Sequence, residues 1–277
     1  SLKMSSVVIG AIVLGFGTSA PELVVSTIAA WRGNAALGVG NIVGSNVANL
    51  SLVLGVAALI TPIALTSSVI KRQAPLSIAA VVAFAVTVVD GNLSRSEGTI
   101  LFVLLVGAMI VLVKTPEENS SSRRKAEKSV VSSLLWSLLG LGGVLIGAQL
   151  VVWGATQLAE RWGLSGGFIG FSLVALGTSL PELVTAIAAA RKHEAGLIVG
   201  NLFGSNLFNS LAGGAAMGLA GAGRIGDTKL TTGALCAMLG AVIWAYARGA
   251  LTRQIGKTDA LMLLAIYVGA MVYLAVG

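Results

Sequence analysis

Charged residues are scarce in this 277-residue chain: Asp, Glu, Lys and Arg make up 10% of it, whereas a soluble domain carries about 25%. So few charges cannot cover a water-facing surface, and 56% of the residues are hydrophobic. The predicted solvent is therefore mostly lipid. Aromatic residues are also few, at 5%, which argues against an outer-membrane β-barrel with its aromatic girdles.

Cysteine and histidine occur once each, as Cys236 and His193, so the chain has no internal disulfide and no Cys/His metal cluster. Cys236 lies in an apolar run and is expected to be a small core residue. His193 lies among charged residues with no nucleophile motif nearby, so the sequence does not indicate an enzyme. The net charge is +7, but the basic residues form no stripe or motif that would predict nucleic-acid binding.

Apolar segments recur along the chain at the length that a bilayer requires. A hydrocarbon core needs about 20 apolar residues per helix, and about nine segments meet that rule. Their approximate bounds are 5–31, 36–60, 73–90, 98–113, 130–153, 165–190, 196–220, 229–247 and 258–276. The fold class that they predict is an all-α polytopic membrane protein.

A single long polar stretch, KTPEENSSSRRKAEK from Lys114 to Lys128, interrupts these apolar segments. Its serine and charge content is typical of a loop. It divides the chain into a first half at 1–113, a loop at 114–129 and a second half at 130–277.

The two halves carry the same motifs. GTSAPELV at 17–24 recurs as GTSLPELV at 177–184, and GVGNIVGSNVAN at 38–49 recurs as IVGNLFGSNLFN at 198–209. The offset is 160 residues throughout, which chance does not produce, so the chain contains an internal repeat. Duplicated halves are a common architecture of transporters.

The repeat also predicts the orientation of the halves. The segment 130–153 precedes the second motif, and the same offset leaves no counterpart ahead of the first, so one more helix is expected before Ser1. Five helices per half would give two inverted repeats, with nine of ten helices present. Lys and Arg collect on the side of the loop at 114–128, which predicts that this loop is cytoplasmic.

Two carboxylates, Glu22 and Glu182, lie inside apolar segments at equivalent positions of the repeats. A carboxylate at bilayer depth is costly unless it is neutralised or solvated. Pro21 and Pro181 directly precede them, and each should break its helix by removing a hydrogen bond. The freed carbonyls need partners, and a hard cation such as Ca²⁺ takes carbonyl and carboxylate oxygens. The alternative, a protonated packing glutamate, would have to occur twice in one motif.

The second motif adds further oxygens. Ser45 and Asn49 are four residues apart, as are Ser205 and Asn209, which places each pair on one helix face. Further asparagines are expected on other faces, where they could simply join helices together: Asn41, Asn46, Asn201 and Asn206.

These paired motifs resemble the two α-repeats of the calcium/cation antiporter superfamily, in particular its prokaryotic sodium/calcium exchanger branch. The resemblance rests on GTSAPEL with GNIVGSNVAN and on GTSLPEL with GNLFGSNLFN, and it covers almost the whole chain. The proton/calcium exchanger branch typically carries Gly-Asn-Ala-x-Glu instead. The resemblance implies a protein of the prokaryotic cytoplasmic (inner) membrane that transports Ca²⁺ and Na⁺ and needs no cofactor.

The resemblance also implies a cluster of ion ligands at the membrane midplane. Glu22 and Glu182 would be the main ligands for calcium and shared ligands for sodium. The other implied ligands are carbonyl oxygens of Thr18, Thr178, Gly15 and Ala175 and side-chain oxygens of Ser19, Ser179, Ser45, Asn49, Ser205 and Asn209. Related exchangers often have Asp where Asn209 stands, so this site has two formal negative charges, which balance one Ca²⁺.

The function expected from the resemblance is exchange of sodium for calcium by alternating access. In the family the first and sixth helices slide past the site, and the segment 130–153 corresponds to the sixth. Two alternatives stay open: a proton-driven calcium exchanger that uses the same glutamates, and a cation channel.

Overall fold

The computed structural model describes residues 15–114, 143, 146–147, 150–221 and 223–276, and nearly all of them are helical. Five helices in this part of the chain are long and apolar enough to cross a membrane. They are Ala35–Ile60, Val69–Val88, Arg95–Leu112, Leu230–Thr252 and Lys257–Ala275. A bent pair, Gly166–Thr178 and Leu180–Arg191, makes a sixth if it is counted as one span.

The six candidates each overlap a segment that the sequence predicts as a span. A seventh predicted segment, 196–220, is helical throughout. The remaining two, 5–31 and 130–153, extend beyond the described residues, so the total of nine stays a prediction. The described part of the chain is a predominantly helical fold suited to a membrane.

The described part of the first half, residues 15–114, contains six α-helices and two π-helical segments. The α-helices are α1 (Gly15–Thr18), α2 (Ala20–Trp31), α3 (Ala35–Ala48), α4 (Leu54–Ile60), α5 (Ala74–Val88) and α6 (Arg95–Lys114). The π-helical segment Asn49–Val53 joins α3 to α4, and Val69–Gln73 leads into α5. Asn34 caps α3 by accepting a hydrogen bond from Leu37 N–H, which would otherwise lack a partner.

The second half repeats this order after an additional helix, α7 (150–162). Its other helices are α8 (Gly166–Ile169), α9 (Ala175–Thr178), α10 (Leu180–Arg191), α11 (Ala195–Phe208), α12 (Gly214–Ala220), α13 (Leu235–Thr252) and α14 (Lys257–Ala275). Its π-helical segments are Gly170–Val174, Asn209–Gly213 and Leu230–Ala234.

Four two-residue strands within the described residues join the halves: β1 (Ile63–Ala64), β2 (Asn92–Leu93), β3 (Gly223–Arg224) and β4 (Gln254–Ile255). β1 pairs antiparallel with β4, and β2 pairs antiparallel with β3. β3 follows β1 by 160 residues, so these two strands are equivalent in the repeat. Each strand pair therefore joins a strand of the first half to a strand of the second half that is not its equivalent. The strand pairing is therefore reciprocal between the halves.

The core lies around α3, of which nearly every residue is buried, whereas 22% of the span Arg95–Leu112 in α6 is buried. The outer helices therefore present apolar side chains such as Phe102 and Val103 on the surface. Cys236, expected to be a core residue, is exposed on α13, so that expectation was wrong. In a membrane helix the outward face is as apolar as the inward one, so an apolar run does not reveal burial.

Candidate functional site

Two interrupted helices supply the centre of the site. Ser19 separates α1 from α2 with φ −81° and ψ −1°, and Ser179 separates α9 from α10 with φ −83° and ψ 4°. A proline stands in the first turn of both α2 and α10. Because proline has no N–H and fixes φ, it starts the new helix segment but cannot continue the old one. The predicted breaks are therefore present, and that of the second half bends the chain by 44°.

Glu22 and Glu182 lie one residue after these prolines, and both side chains are 0% exposed. Oε1 of Glu22 accepts a hydrogen bond from Ser179 Oγ at 3.3 Å, and Oε1 of Glu182 accepts one from Ser205 Oγ at 3.2 Å. Oε2 of each glutamate is buried without a partner. Ser179, which contacts Glu22, lies three residues before Glu182 at the start of the same helix segment. The structure thus brings the two predicted acidic ligands together.

Each interrupted helix packs against the second-motif helix of the other half. Thr178 Oγ1 on α9 donates to Asn41 Oδ1 on α3 at 3.2 Å and lies 3.5 Å from Ser45 Oγ. The equivalent distances from Thr18 Oγ1 on α1 are 3.3 Å to Asn201 Oδ1 and 3.4 Å to Ser205 Oγ. The site is therefore shared between the halves and built twice from equivalent residues.

Glycine allows this close approach. A Cβ added at Gly44 on α3 would meet the carbonyl oxygen of Phe171 and would lie 2.7 Å from the Cβ of Ala175. A Cβ at Gly15 would lie 3.0 Å from backbone atoms of Gly204 and Ser205. Any side chain at Gly44 would therefore push the interrupted helix of the second half away from Ser45.

The remaining predicted ligands are in the same region. Gly15 O lies 3.3 Å from Ser205 Oγ, and Ala175 O lies 3.3 Å from Thr178 Oγ1. Asn49 donates from Nδ2 to Asn206 Oδ1 at 3.1 Å. Of the twelve predicted ligands, eight lie on the two interrupted helices, where Thr18 is half-buried and the other seven are buried, and four lie buried on α3 and α11 or where those helices end.

Several oxygens of the site share one hydrogen atom or have no hydrogen-bond partner. Ser205 has one hydroxyl hydrogen but lies within hydrogen-bond distance of both Gly15 O and Glu182 Oε1. Further buried oxygens have no hydrogen-bond partner: Glu22 Oε2, Glu182 Oε2, Ser19 Oγ, Asn49 Oδ1 and Asn209 Oδ1. Unpartnered buried oxygens are costly, and a cation would satisfy several at once.

The donor set suits a hard cation. No group of three or more His, Cys, Asp or Glu residues that could hold a metal occurs in the described part of the chain. The site instead combines two carboxylates with neutral hydroxyl, amide and carbonyl oxygens. Oxygen donors of this kind suit calcium and sodium, whereas transition metals favour imidazole and thiolate.

Sequence reasoning missed two features of this site. Asn41, treated as a residue that could simply join helices, donates from Nδ2 to Glu22 O at 3.2 Å and to Ser26 Oγ at 2.9 Å while Oδ1 accepts from Thr178. The helices also change from α to π where Asn49 and Asn209 stand. Such π-bulges are frequent at functional sites. Only the recurrence of this asparagine in both motifs, as Asn41 and Asn201, could have indicated its role.

The helical membrane fold and the oxygen-rich site fit a membrane transporter of cations. The family described as sodium/calcium exchanger protein matches residues 1–114 and 132–276, and the chain belongs to this family. It is a member of the calcium/cation antiporter superfamily, as the motifs indicated. Since this is a family of ion transporters that needs no cofactor, the chain is not an enzyme.

Several relatives show the same likeness. The chain is 33% identical to the uncharacterized membrane protein MJ0091 of Methanocaldococcus jannaschii, over 99% of this chain and 89% of that protein. It is 38% identical to the putative antiporter CaxA of Alkalimonas amylolytica over 76% of this chain and 69% of that one. The solved sodium-calcium exchanger NCX_Mj superposes with a TM-score of 0.73 at 33% identity, over 96% of this chain and 86% of that one.

Proposed function

We propose that this protein exchanges Na⁺ for Ca²⁺ across a membrane at a single site formed by Glu22 and Glu182. The observation that carries the proposal is the pair of fully buried carboxylates, each with an unpartnered oxygen, on interrupted helices of opposite halves. Family membership and the likeness to the exchanger NCX_Mj support the choice of ions.

Charge balance couples the two ions in this proposal. Two carboxylates match the charge of one Ca²⁺, and Na⁺ ions compete for the same oxygens. An empty site leaves two buried negative charges, which oppose any movement that would carry apolar helices past them. The site therefore switches from one side of the membrane to the other only when ions occupy it. This condition couples the two ion fluxes, so that the transport is an exchange and not a leak.

The moving element in this proposal is the helix that includes α7. Val152 and Ala155 of α7 pack against Val25 of α2 in a small apolar cluster. A cavity of about 440 Å³ lies between α7 and the interrupted helices, where it is lined by Pro21, Pro181 and Thr178 and by glycines of the moving helix. Among the described residues this contact is apolar, and an apolar contact allows the helix to slide past the interrupted helices.

The reciprocal pairing of strands and of interrupted helices supports two inverted repeats, at 1–113 and 130–277, joined by a cytoplasmic loop at 114–129. In this arrangement the two-fold axis lies in the membrane plane, and the glutamates meet near its midplane. Similarity to the inner membrane protein YrbG of Escherichia coli, at 37% identity over 73% of this chain, supports a cytoplasmic-membrane location.

Transport driven by an imposed gradient tests the exchanged ion. Proteoliposomes loaded with Na⁺ and diluted into Na⁺-free buffer with radioactive Ca²⁺ are expected to accumulate Ca²⁺, because outward Na⁺ flux through the shared site drives Ca²⁺ inward. A pH gradient without Na⁺ is expected to give no uptake above liposomes that lack protein. Uptake driven only by the pH gradient would instead establish a proton-driven exchanger, and Ca²⁺ flux without any counter-ion would establish a channel.

The hydroxyl of Thr178 is expected to support ion binding, since it joins α9 to Asn41 and Ser45 of the other half. Thr178→Val keeps the shape and removes these bonds, so the Ca²⁺ affinity should fall about tenfold, as measured by equilibrium binding of radioactive Ca²⁺. Thr99→Val on the exposed face of α6 is the matched control, because Thr99 Oγ1 bonds only to Arg95 O of its own helix. Equal affinities of the two variants would contradict this role.

A further inference from the structure

A short chain of amide hydrogen bonds runs from the backbone of α3 across α11 to one of the proposed ligands. Asn206 Nδ2 donates to the backbone carbonyl of Asn46 at 3.0 Å. Asn206 Oδ1 accepts from Asn49 Nδ2 at 3.1 Å. All three side chains are at most 1% exposed, so water does not compete for these bonds.

The chemistry of the first bond determines the direction of the others. A backbone carbonyl can only accept, so Asn206 must turn its nitrogen toward Asn46 and its oxygen toward Asn49. Asn49 must then present its nitrogen to Asn206, which leaves Asn49 Oδ1 on the opposite side of the amide group. That oxygen is buried without a partner, and Asn49 lies one turn beyond Ser45, on the helix face that meets Thr178.

We propose that Asn206 is a positioning residue, which fixes the polarity of the Asn49 amide so that its oxygen, and not its nitrogen, faces the ion. This inference rests on the proposed function. A cation is repelled by the NH₂ group of an amide and attracted by its oxygen, so a flipped Asn49 would oppose binding. Asn206 therefore determines whether Asn49 is a ligand, without touching the ion itself.

The second half does not repeat this arrangement. Asn46, the equivalent of Asn206, donates from Nδ2 to Ser210 Oγ at 2.9 Å. Asn209, the equivalent of Asn49, has neither its nitrogen nor its oxygen bonded. The side chain of Asn46 is therefore a matched control: it lies at the same crossing of α3 and α11, is buried like Asn206 and bonds to Ser210, which is not among the proposed ligands. Asn46→Leu keeps the backbone carbonyl that accepts from Asn206.

The test compares Asn206→Leu and Asn46→Leu in the full chain, by equilibrium binding of radioactive Ca²⁺ to the purified protein. Both variants lose buried hydrogen bonds, so both should lower the thermal unfolding temperature. Only Asn206→Leu should also weaken Ca²⁺ binding, by about tenfold, because it frees the Asn49 amide to turn; Asn46→Leu should weaken it by less than about threefold.

A second comparison separates amide polarity from loose packing. Asn49→Asp has two oxygens, so it presents an oxygen to the ion in either orientation. In that background Asn206→Leu should change Ca²⁺ affinity by less than about threefold relative to Asn49→Asp alone. A full tenfold loss there, or equal losses for Asn206→Leu and Asn46→Leu, would overturn the positioning role alone. Failure of the unmodified chain to bind Ca²⁺ would overturn the proposed function and this inference with it.

Discussion

Replacing either Glu22 or Glu182 with Gln is expected to lower Na⁺-dependent Ca²⁺ uptake by roughly 100-fold or more. Glutamine keeps the shape of the side chain but removes one of the two negative charges. A bound Ca²⁺ would then leave a net positive charge in a fully buried site, which is among the most costly arrangements inside a protein. The measurement is the initial rate of uptake of radioactive Ca²⁺ into Na⁺-loaded proteoliposomes, normalised to reconstituted protein.

The control for this prediction is Glu194→Gln. Glu194 precedes α11, is exposed and makes no side-chain capping bond, so solvent screens its charge. The Ca²⁺ uptake rate of the Glu194→Gln variant should therefore equal that of the unmodified protein. Because Glu22 and Glu182 occupy equivalent positions of the two repeats, we expect both to be needed for Ca²⁺ uptake. Near-normal uptake by Glu22→Gln or by Glu182→Gln would contradict a shared two-carboxylate site.

Gly44→Ala is expected to have the second-largest effect, although it adds one methyl group far along the chain from either glutamate. Its Cβ would meet the carbonyl oxygen of Phe171 and the Cβ of Ala175, and backbone atoms of packed helices cannot turn away as a flexible side chain can. The unfolding temperature should fall by about 5 °C, and Ca²⁺ affinity at least about tenfold, as the interrupted helix moves away from Ser45.

Gly107→Ala provides the comparison for this effect. A Cβ at Gly107 on α6 would have no neighbour within 4 Å, so the unfolding temperature should stay the same or rise slightly, since alanine favours a helix over glycine. Thermal unfolding followed by intrinsic tryptophan fluorescence measures both variants. If Gly44→Ala and Gly107→Ala were equally stable, the close approach of α3 to the second interrupted helix would not contribute to stability.

Much of the site could be predicted because its residues are local signals that occur twice. A glutamate in an apolar segment, directly after a proline and shortly after Gly-Thr-Ser, is costly enough to indicate a function at each of its two occurrences. The spacing of Ser45 and Asn49 likewise predicts a common helix face, and the structure shows Ser45 against Thr178. These inferences depend only on neighbours along the chain and on the helical period.

Other features could not be predicted, because no local pattern specifies them. The change from α- to π-helix at Asn49 and Asn209 depends on how α3 and α11 pack, and the residues NLSLV and NSLAG give no sign of it. The outward direction of Cys236 was missed for a similar reason, since lipid and protein interior favour the same apolar residues.

By itself, the sequence determined that the protein is embedded in a membrane, that it consists of a duplicated unit, and that each unit contributes one carboxylate next to a broken helix. Only the tertiary structure decided that each broken helix would pack against the partner motif of the other half, and which way the Asn49 amide would point. The physical reason is range: Asn49 and Asn206 are 157 residues apart in the chain, and the direction of their hydrogen bond follows from a backbone carbonyl that folding alone brings beside them.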